Sequence, residues 1–314
     1  MLLYIWKRLA SGLLVLFGVS VLSFSLIHLI PGDPVRLMLG EQVTQEQVEQ
    51  MREELGLNRP VPHQYIDYMA GVIQGDFGTS LKSDRPVLQE IMERFPATIK
   101  LAVSGIAIAI VLGVAMGVLA AKYKDTFIDT AFKFLTSLGV SLPSFWLGIL
   151  MIMFFAVYLK WFPIAGGTGL DDLVLPALTL GILVSATIAR MTRSGMVEVM
   201  SNEYIRTARA KGLSETTVLF KHAFRNVMIP IVTFIGLQAA SLMGGAVIIE
   251  KVFSWSGIGT LAINAISQRD FPMLQGVVLF MGIVYVVINI IVDIVYSVID
   301  PRVDVRAEGG ASNG

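Results

Sequence analysis

The residue types that carry most protein chemistry are scarce and scattered in this sequence. Histidines stand at positions 28, 63 and 222, too far apart for a local metal motif, and cysteine is absent. There is therefore no thiol nucleophile, no disulfide framework and no cysteine metal site. No Gly-x-x-x-x-Gly-Lys-Ser/Thr phosphate loop occurs, so any ATP-driven work requires a partner. No serine elbow, metal-ligand cluster or paired-carboxylate motif supports a membrane-embedded enzyme. What remains is one concentration of charge, the polar stretch from Glu203 to Pro230. It carries Arg206, Arg209, Lys211, Lys221 and Arg225 against Glu203 and Glu215. Groups of this kind can guide docking and form ion pairs.

Two short helices position that stretch. Ser201 or Asn202 can cap the first, Gly212 supplies the left-handed residue that ends it, and Ser214 can cap a second running to about Asn226. Pro230 then opens the next apolar run. Basic residues around a glycine turn also suggest a helix-turn-helix, but both ends run straight into apolar segments. The charge is already explained by a loop on the inner side of a membrane, and no nucleic-acid partner is expected.

The rest of the chain supports that setting. Hydrophobic residues make up 54% and charged ones 15%, too apolar for an ordinary soluble domain. Lys7 and Arg8 precede an apolar run from Leu9 to Ile30, which reaches about 33 Å as a helix at about 1.5 Å per residue. The run ends in Ile30-Pro31-Gly32-Asp33-Pro34, a helix stop rather than a small-residue cleavage site, and reads as a retained anchor. Further spans are expected at Leu101–Ala121, Ala131–Tyr158, Leu173–Ala189, Ile229–Ile249 and Leu274–Ile299. The second holds Gly113 and Gly117 as a small-xxx-small pair, and the third holds Pro143, which frees a backbone carbonyl and should kink the helix or line a cavity.

The expected fold is thus an all-α membrane protein of six transmembrane helices with both termini cytoplasmic. Lys7, Arg8, Lys122, Lys124, the polar stretch, Arg302 and Arg306 then share one side. The chain divides into residues 1–30, a tail and first span; 31–95, an extracytoplasmic segment with short helices; 96–299, the remaining spans with the loop 193–228; and 300–314, a tail. Within 31–95, Thr44 and Gln47 form a capping-box pattern, and a second amphipathic helix near Gln64 to Ile73 places Tyr65, Tyr68, Met69 and Val72 on one face. The spans lack the buried carboxylates and histidines of a proton pump. His28 is expected as an interfacial, hydrogen-bonded residue, and Asp293, one turn after Asn289, as a bond across helices.

Ala208, Gly212 and Ile229-Pro230 stand at the spacing of the EAA loop of bacterial ABC-importer permeases. The run Tyr204-Ile205-Arg206-Thr207-Ala208-Arg209-Ala210-Lys211-Gly212 resembles more closely the dipeptide, oligopeptide, nickel and glutathione branch, in which Ala-Arg-Ala replaces Glu-Ala-Ala. The likeness extends through Gly75-Asp76-Phe77-Gly78, Arg85-Pro86-Val87, Phe253-Ser254-Trp255-Ser256-Gly257-Ile258-Gly259 and Arg269-Asp270-Phe271-Pro272. Ser256 departs from the proline more common in the family.

The resemblance implies a type I ABC-importer permease in the bacterial cytoplasmic (inner) membrane, not itself an enzyme. Its partners would be a second homologous permease forming a heterodimer, two ABC ATPase subunits that bind ATP and magnesium, an extracytoplasmic substrate-binding protein, and membrane lipid. No cofactor is expected in this chain. ATPase coupling would fall to Glu203, Tyr204, Arg206, Thr207, Ala208, Arg209, Ala210, Lys211, Gly212, Leu213, His222, Arg225 and Pro230. Binding-protein docking would fall to Asp76, Asp84, Trp255 and Asp270, read as exposed acidic and aromatic groups. Small peptides are the first substrate expectation, with glutathione next and nickel or a nickel chelate third. The rival from another class is a stand-alone channel or secondary transporter.

Overall fold

A computed structural model describes residues 2–29, 35–36, 43–54, 56–164, 166, 169–243 and 246–299. The turn expected at residues 30–34 and the tail from residue 300 lie outside the described residues. Among those described, regular structure is helical, apart from an isolated antiparallel bridge between Thr79 and Pro86.

The first span is helix α1, Leu2–Leu29. Two short helices follow, α2 (Gln45–Glu54) and α3 (Val61–Ile73). The capping box at α2 forms reciprocally: Thr44 N donates to Gln47 Oε1 at 3.0 Å, and Gln47 N donates to Thr44 Oγ1 at 3.3 Å. Tyr65 of α3 meets Ser20 of α1 at 2.7 Å, and Phe24 packs edge-on against Tyr65 at 5.4 Å. His28 reaches Gln64 at 3.1 Å, so it is a hydrogen-bonded residue against α3.

Helix α4 runs unbroken from Val87 to Lys122. The expected boundary at residue 95 therefore falls inside a helix, because Pro96 is accommodated in it without a break. Next come α5 (Phe127–Ser141) and α6 (Ser144–Met151), the latter continuing as a π-helical turn over Ile152–Tyr158. The axis bends by 106° between α5 and α6, where Pro143 takes an extended ψ of 136°. Proline here breaks the span outright rather than kinking it.

Helix α7, Leu170–Met200, packs along α4 in the most extensive helix pair of the molecule. Small residues permit the approach. A Cβ on Gly113 would lie 2.7 Å from Ile188 Cβ, and one on Gly117 2.5 Å from Thr192 Cβ. From the other side, a Cβ on Gly181 would lie 2.4 Å from Ile108 Cγ2.

After α7 come α8 (Glu203–Ala210), a short turn α9 (Glu215–Thr217) that passes through a π-helical stretch Val218–Phe224, and α10 (Arg225–Met243). Two short helices, α11 (Val247–Val252) and α12 (Ile258–Gln268), precede α13 (Phe271–Ile299). The fifth apolar run thus divides into α10 and α11 rather than forming one rod from Ile229 to Ile249. Among the described residues, four helices are long and apolar enough to cross a membrane, or up to six if each bent pair is one span. At the other end of the bundle from α11 and α12, Arg8 of α1 pairs with Asp293 of α13 at 3.1 Å, the cross-helix bond expected of Asp293.

The glycine seam makes a stability prediction. Gly117→Ala should destabilise the chain by about 1–3 kcal/mol through overpacking. Gly18→Ala, where a Cβ meets nothing within 4 Å, should not. Thermal melting of the two purified variants checks this; equal melting points would contradict the seam.

Candidate functional site

The basic stretch forms a compact handle between α7 and α10. Asn202 occupies the N-cap position of α8 with extended backbone, although its side chain makes no capping bond. Gly212 has φ +76°, the left-handed conformation that its position requires and that L side chains resist. Ser214 accepts from Thr217 N at 3.4 Å and caps the next turn.

The second handle helix does not end near Asn226. It passes through the π-helical stretch into α10, so Pro230 lies inside a helix and marks a 49° bend there instead of opening a new run.

The handle has two faces. Ile205 and Ala208 are buried in a cluster with Val218, Leu219, Ala223 and Val227 from the second helix and with Met196 of α7. Ala208 therefore packs against its own chain. The other face is exposed and carries Glu203, Arg206, Thr207, Arg209, Ala210, Lys211, Leu213 and Arg225, with Tyr204 also open to solvent and His222 half-buried. Two polar links hold the helices to each other: Asn226 Nδ2 donates to the Tyr204 hydroxyl at 2.7 Å, and Arg209 Nε donates to Glu215 Oε1 at 2.7 Å. The Arg209 guanidinium holds the Glu215 carboxyl below its ordinary value.

A link that the sequence did not single out fastens the base of the handle. Asp129, near the start of α5, is fully buried and accepts from Arg193 NH2 of α7 at 2.7 Å, from Lys133 Nζ at 2.9 Å and from Asp125 N at 3.1 Å. The only trace in the sequence was an aspartate four residues before a lysine. Arg193 lies one helical stretch ahead of α8, so the pair ties α5 to the root of the handle.

The far end of the bundle corrects two expectations. Trp255 and Asp270 are 2% and 3% exposed, so neither is an open docking group. Trp255 Nε1 donates to Ala97 O at 2.9 Å. Asp270 follows Arg269, whose φ of +58° ends α12, and it caps α13 by accepting from Met273 N at 3.2 Å. It also accepts from Ser80 Oγ at 2.5 Å, fixing the 79–86 loop. Asp76 and Asp84 are exposed on that side.

Glu250 is the second residue missed. Its carboxylate is buried, accepts from Thr98 Oγ1 at 2.7 Å and Thr260 N at 3.0 Å, and lies against the start of α12. Burial pushes its carboxyl above the ordinary carboxylate value, against the lowering effect of those bonds. A Cβ on Gly257 would come within 2.3 Å of Oε1 and one on Gly259 within 2.9 Å of Oε2, which explains both glycines of the Phe253–Gly259 motif. Among the described residues no group of three His, Cys, Asp or Glu could hold a metal ion.

Long apolar helices carrying an exposed, charged handle define a helical membrane protein with a polar face open to a partner. Comparison with known proteins narrows the class. The description "Binding-protein-dependent transport system inner membrane component" matches residues 110–305, and the N-terminal model of the same system matches residues 1–102. The chain is 43% identical over 303 residues to the glutathione transport system permease protein GsiC of Escherichia coli (strain K12), covering 96% of this chain and 99% of that protein. GsiC of Shigella flexneri serotype 5b is 42% identical over the same length. Among solved structures, an inward-facing MetNI methionine ABC transporter chain aligns with a TM-score of 0.55 at 17% identity, over 68% of this chain and 97% of that one. The chain belongs to the binding-protein-dependent inner membrane components, the permease subunits of ABC importers, and is a multi-pass protein of the inner membrane.

The buried ion pair makes the next prediction. Asp129→Ala should cost about 2–3 kcal/mol, because Arg193 loses a charged bidentate partner. In a double-mutant cycle with Arg193→Gln the second substitution should cost little more; additive melting shifts would show that the two residues act separately.

Proposed function

We propose that this chain is half of the pore of an ATP-driven importer for small peptides, with residues 203–225 as the coupling helices. In this reading the chain has six spans, each bent pair counted as one, with both termini and the handle in the cytoplasm. The observation that carries the reading is the two-faced handle. Its inner face belongs to the same buried cluster as α7 and α10, and its outer face is charged and open.

A second permease completes the pore, and two ATPase subunits bind ATP with magnesium and grip the outer face. Closure of the ATPases displaces the handle. Because Ile205 and Ala208 are packed against Met196 and Val227, the displacement passes to α7 and α10 instead of being absorbed in a loose loop. The Asp129–Arg193 pair then carries it to α5.

The branch and the names of the relatives support the substrate class. Glutathione, itself a small peptide, is the substrate in the names of the GsiC relatives at 42–43% identity, and it is the first to assay. An external binding protein delivers it and docks on the side bearing Asp76 and Asp84, with Trp255 and Asp270 holding that surface from beneath.

Two experiments test these roles. In the reconstituted complex, Gly212→Val should lower substrate-stimulated ATP hydrolysis about five- to thirtyfold, since a β-branched residue is strained by about 1–2 kcal/mol at a left-handed φ. Gly212→Asn, which tolerates that conformation, should retain most of it; unimpaired Gly212→Val removes the turn from coupling. For docking, crosslinkers placed at positions 76 and 84 should capture the binding protein in a substrate-dependent way. Failure at both positions would move docking elsewhere.

A further inference from the structure

At the handle end of the bundle, a cavity of about 170 Å³ opens between α4, α5 and α7. Ala120 and Ala189 form its floor, while Lys133, Arg190, Arg193 and Ser194 bring polar groups to it. Lys133 and Arg193 share the buried Asp129 carboxylate, at 2.9 Å from Nζ and 2.7 Å from NH2. Arg190 is exposed and has no hydrogen bond or ion pair among the described residues. The neighbouring Asp125 carboxylate lies 3.9 Å from Lys124 Nζ. Lys133, Arg190 and Arg193 face the buried Asp129 carboxylate and, beyond it, Asp125, which leaves the cavity net positive.

Its surroundings are apolar. Phe127, Ile128, Phe134, Leu135 and Leu138 lie exposed along one side of α5, at the three- and four-residue spacing of a helix face. Phe132, on the same helix, lines the cavity, so the cations and the apolar face adjoin. A cationic recess between helices beside an exposed apolar strip matches a ligand with an anionic head and hydrocarbon tails.

We propose that this cavity binds the phosphodiester headgroup of an anionic membrane lipid, with Lys133, Arg190 and Arg193 around the phosphate and the acyl chains along the outer side of α5. Guanidinium groups suit phosphate oxygens through paired N–H donors, and the apolar strip supplies what a free anion would not use. The lipid would sit against the Asp129–Arg193 pair, at the root of the handle. The inference holds whichever substrate the importer carries.

The test uses the full chain in its native assembly, placed in phosphatidylcholine nanodiscs with increasing phosphatidylglycerol. Lipid retained after detergent extraction is counted by native mass spectrometry. The wild type should hold phosphatidylglycerol, and the double variant Lys133→Gln/Arg190→Gln should hold it about thirtyfold less tightly. The charge-keeping variant Lys133→Arg/Arg190→Lys should restore retention, and melting curves confirm that each variant is folded. Equal retention by the wild type and the double variant would overturn the proposal. So would displacement of the lipid by millimolar inorganic phosphate alone, which indicates a free-anion site. A carbodiimide crosslink from Lys133 to a carboxylate of another subunit would likewise assign the cavity to a protein contact.

Discussion

Close approach of α4 and α7 is the constraint on which the rest of the structure depends. Between helices in hydrocarbon there is little hydrophobic gain, so association rests on packing distance. Gly113 and Gly117 on one helix and Gly181 on the other remove the side chains that would hold the backbones apart. Ile188, Thr192 and Ile108 fill the space from the opposite helix. Interlocked in this way, α7 cannot slide along α4 without collision. Under the proposed coupling, a push on its end at Met200 would move the two helices as a pair.

The handle inherits that rigidity. Its buried face is continuous with the seam, since one cluster runs from Ala109 and Ile188 through Met196 to Ile205 and Val218. Asp129 adds an electrostatic tie in a place where few polar partners exist, and its bonds from Arg193, Lys133 and a backbone N–H compensate its removal from water. The exposed face is left free of structural duty. In the proposed coupling role, this separation of a buried and an exposed face on α8 would let a short helix serve as a lever.

At the opposite end, buried carboxylates do the organising. Glu250 meets the start of α12 and Asp270 caps α13, each gathering backbone N–H groups that would otherwise be unpaired. Asp270 also fixes the 79–86 loop through Ser80, so that end is a packed cap assembled from distant segments.

Much of this was legible in the sequence because the determinants are local. Apolar runs, Pro143, the Thr44–Gln47 box and the left-handed Gly212 each depend on neighbouring residues, and the resemblance of the Tyr204–Gly212 run pointed to an importer permease. What local pattern could not supply was burial. Trp255 and Asp270 read as surface groups because aromatic and acidic residues in a polar segment usually are, yet Ala97 and Ser80, far away in the chain, enclose them. Asp129 and Glu250 had no sequence signal strong enough to separate them from loop charges, since their partners Arg193 and Thr98 are adjacent only once the helices pack. By itself the sequence determined the helices, their caps and the charged handle, all set by contacts within a few residues. Only the tertiary structure decided which face of the handle is anchored and which carboxylates lie inside, because both depend on helices that meet across long stretches of chain.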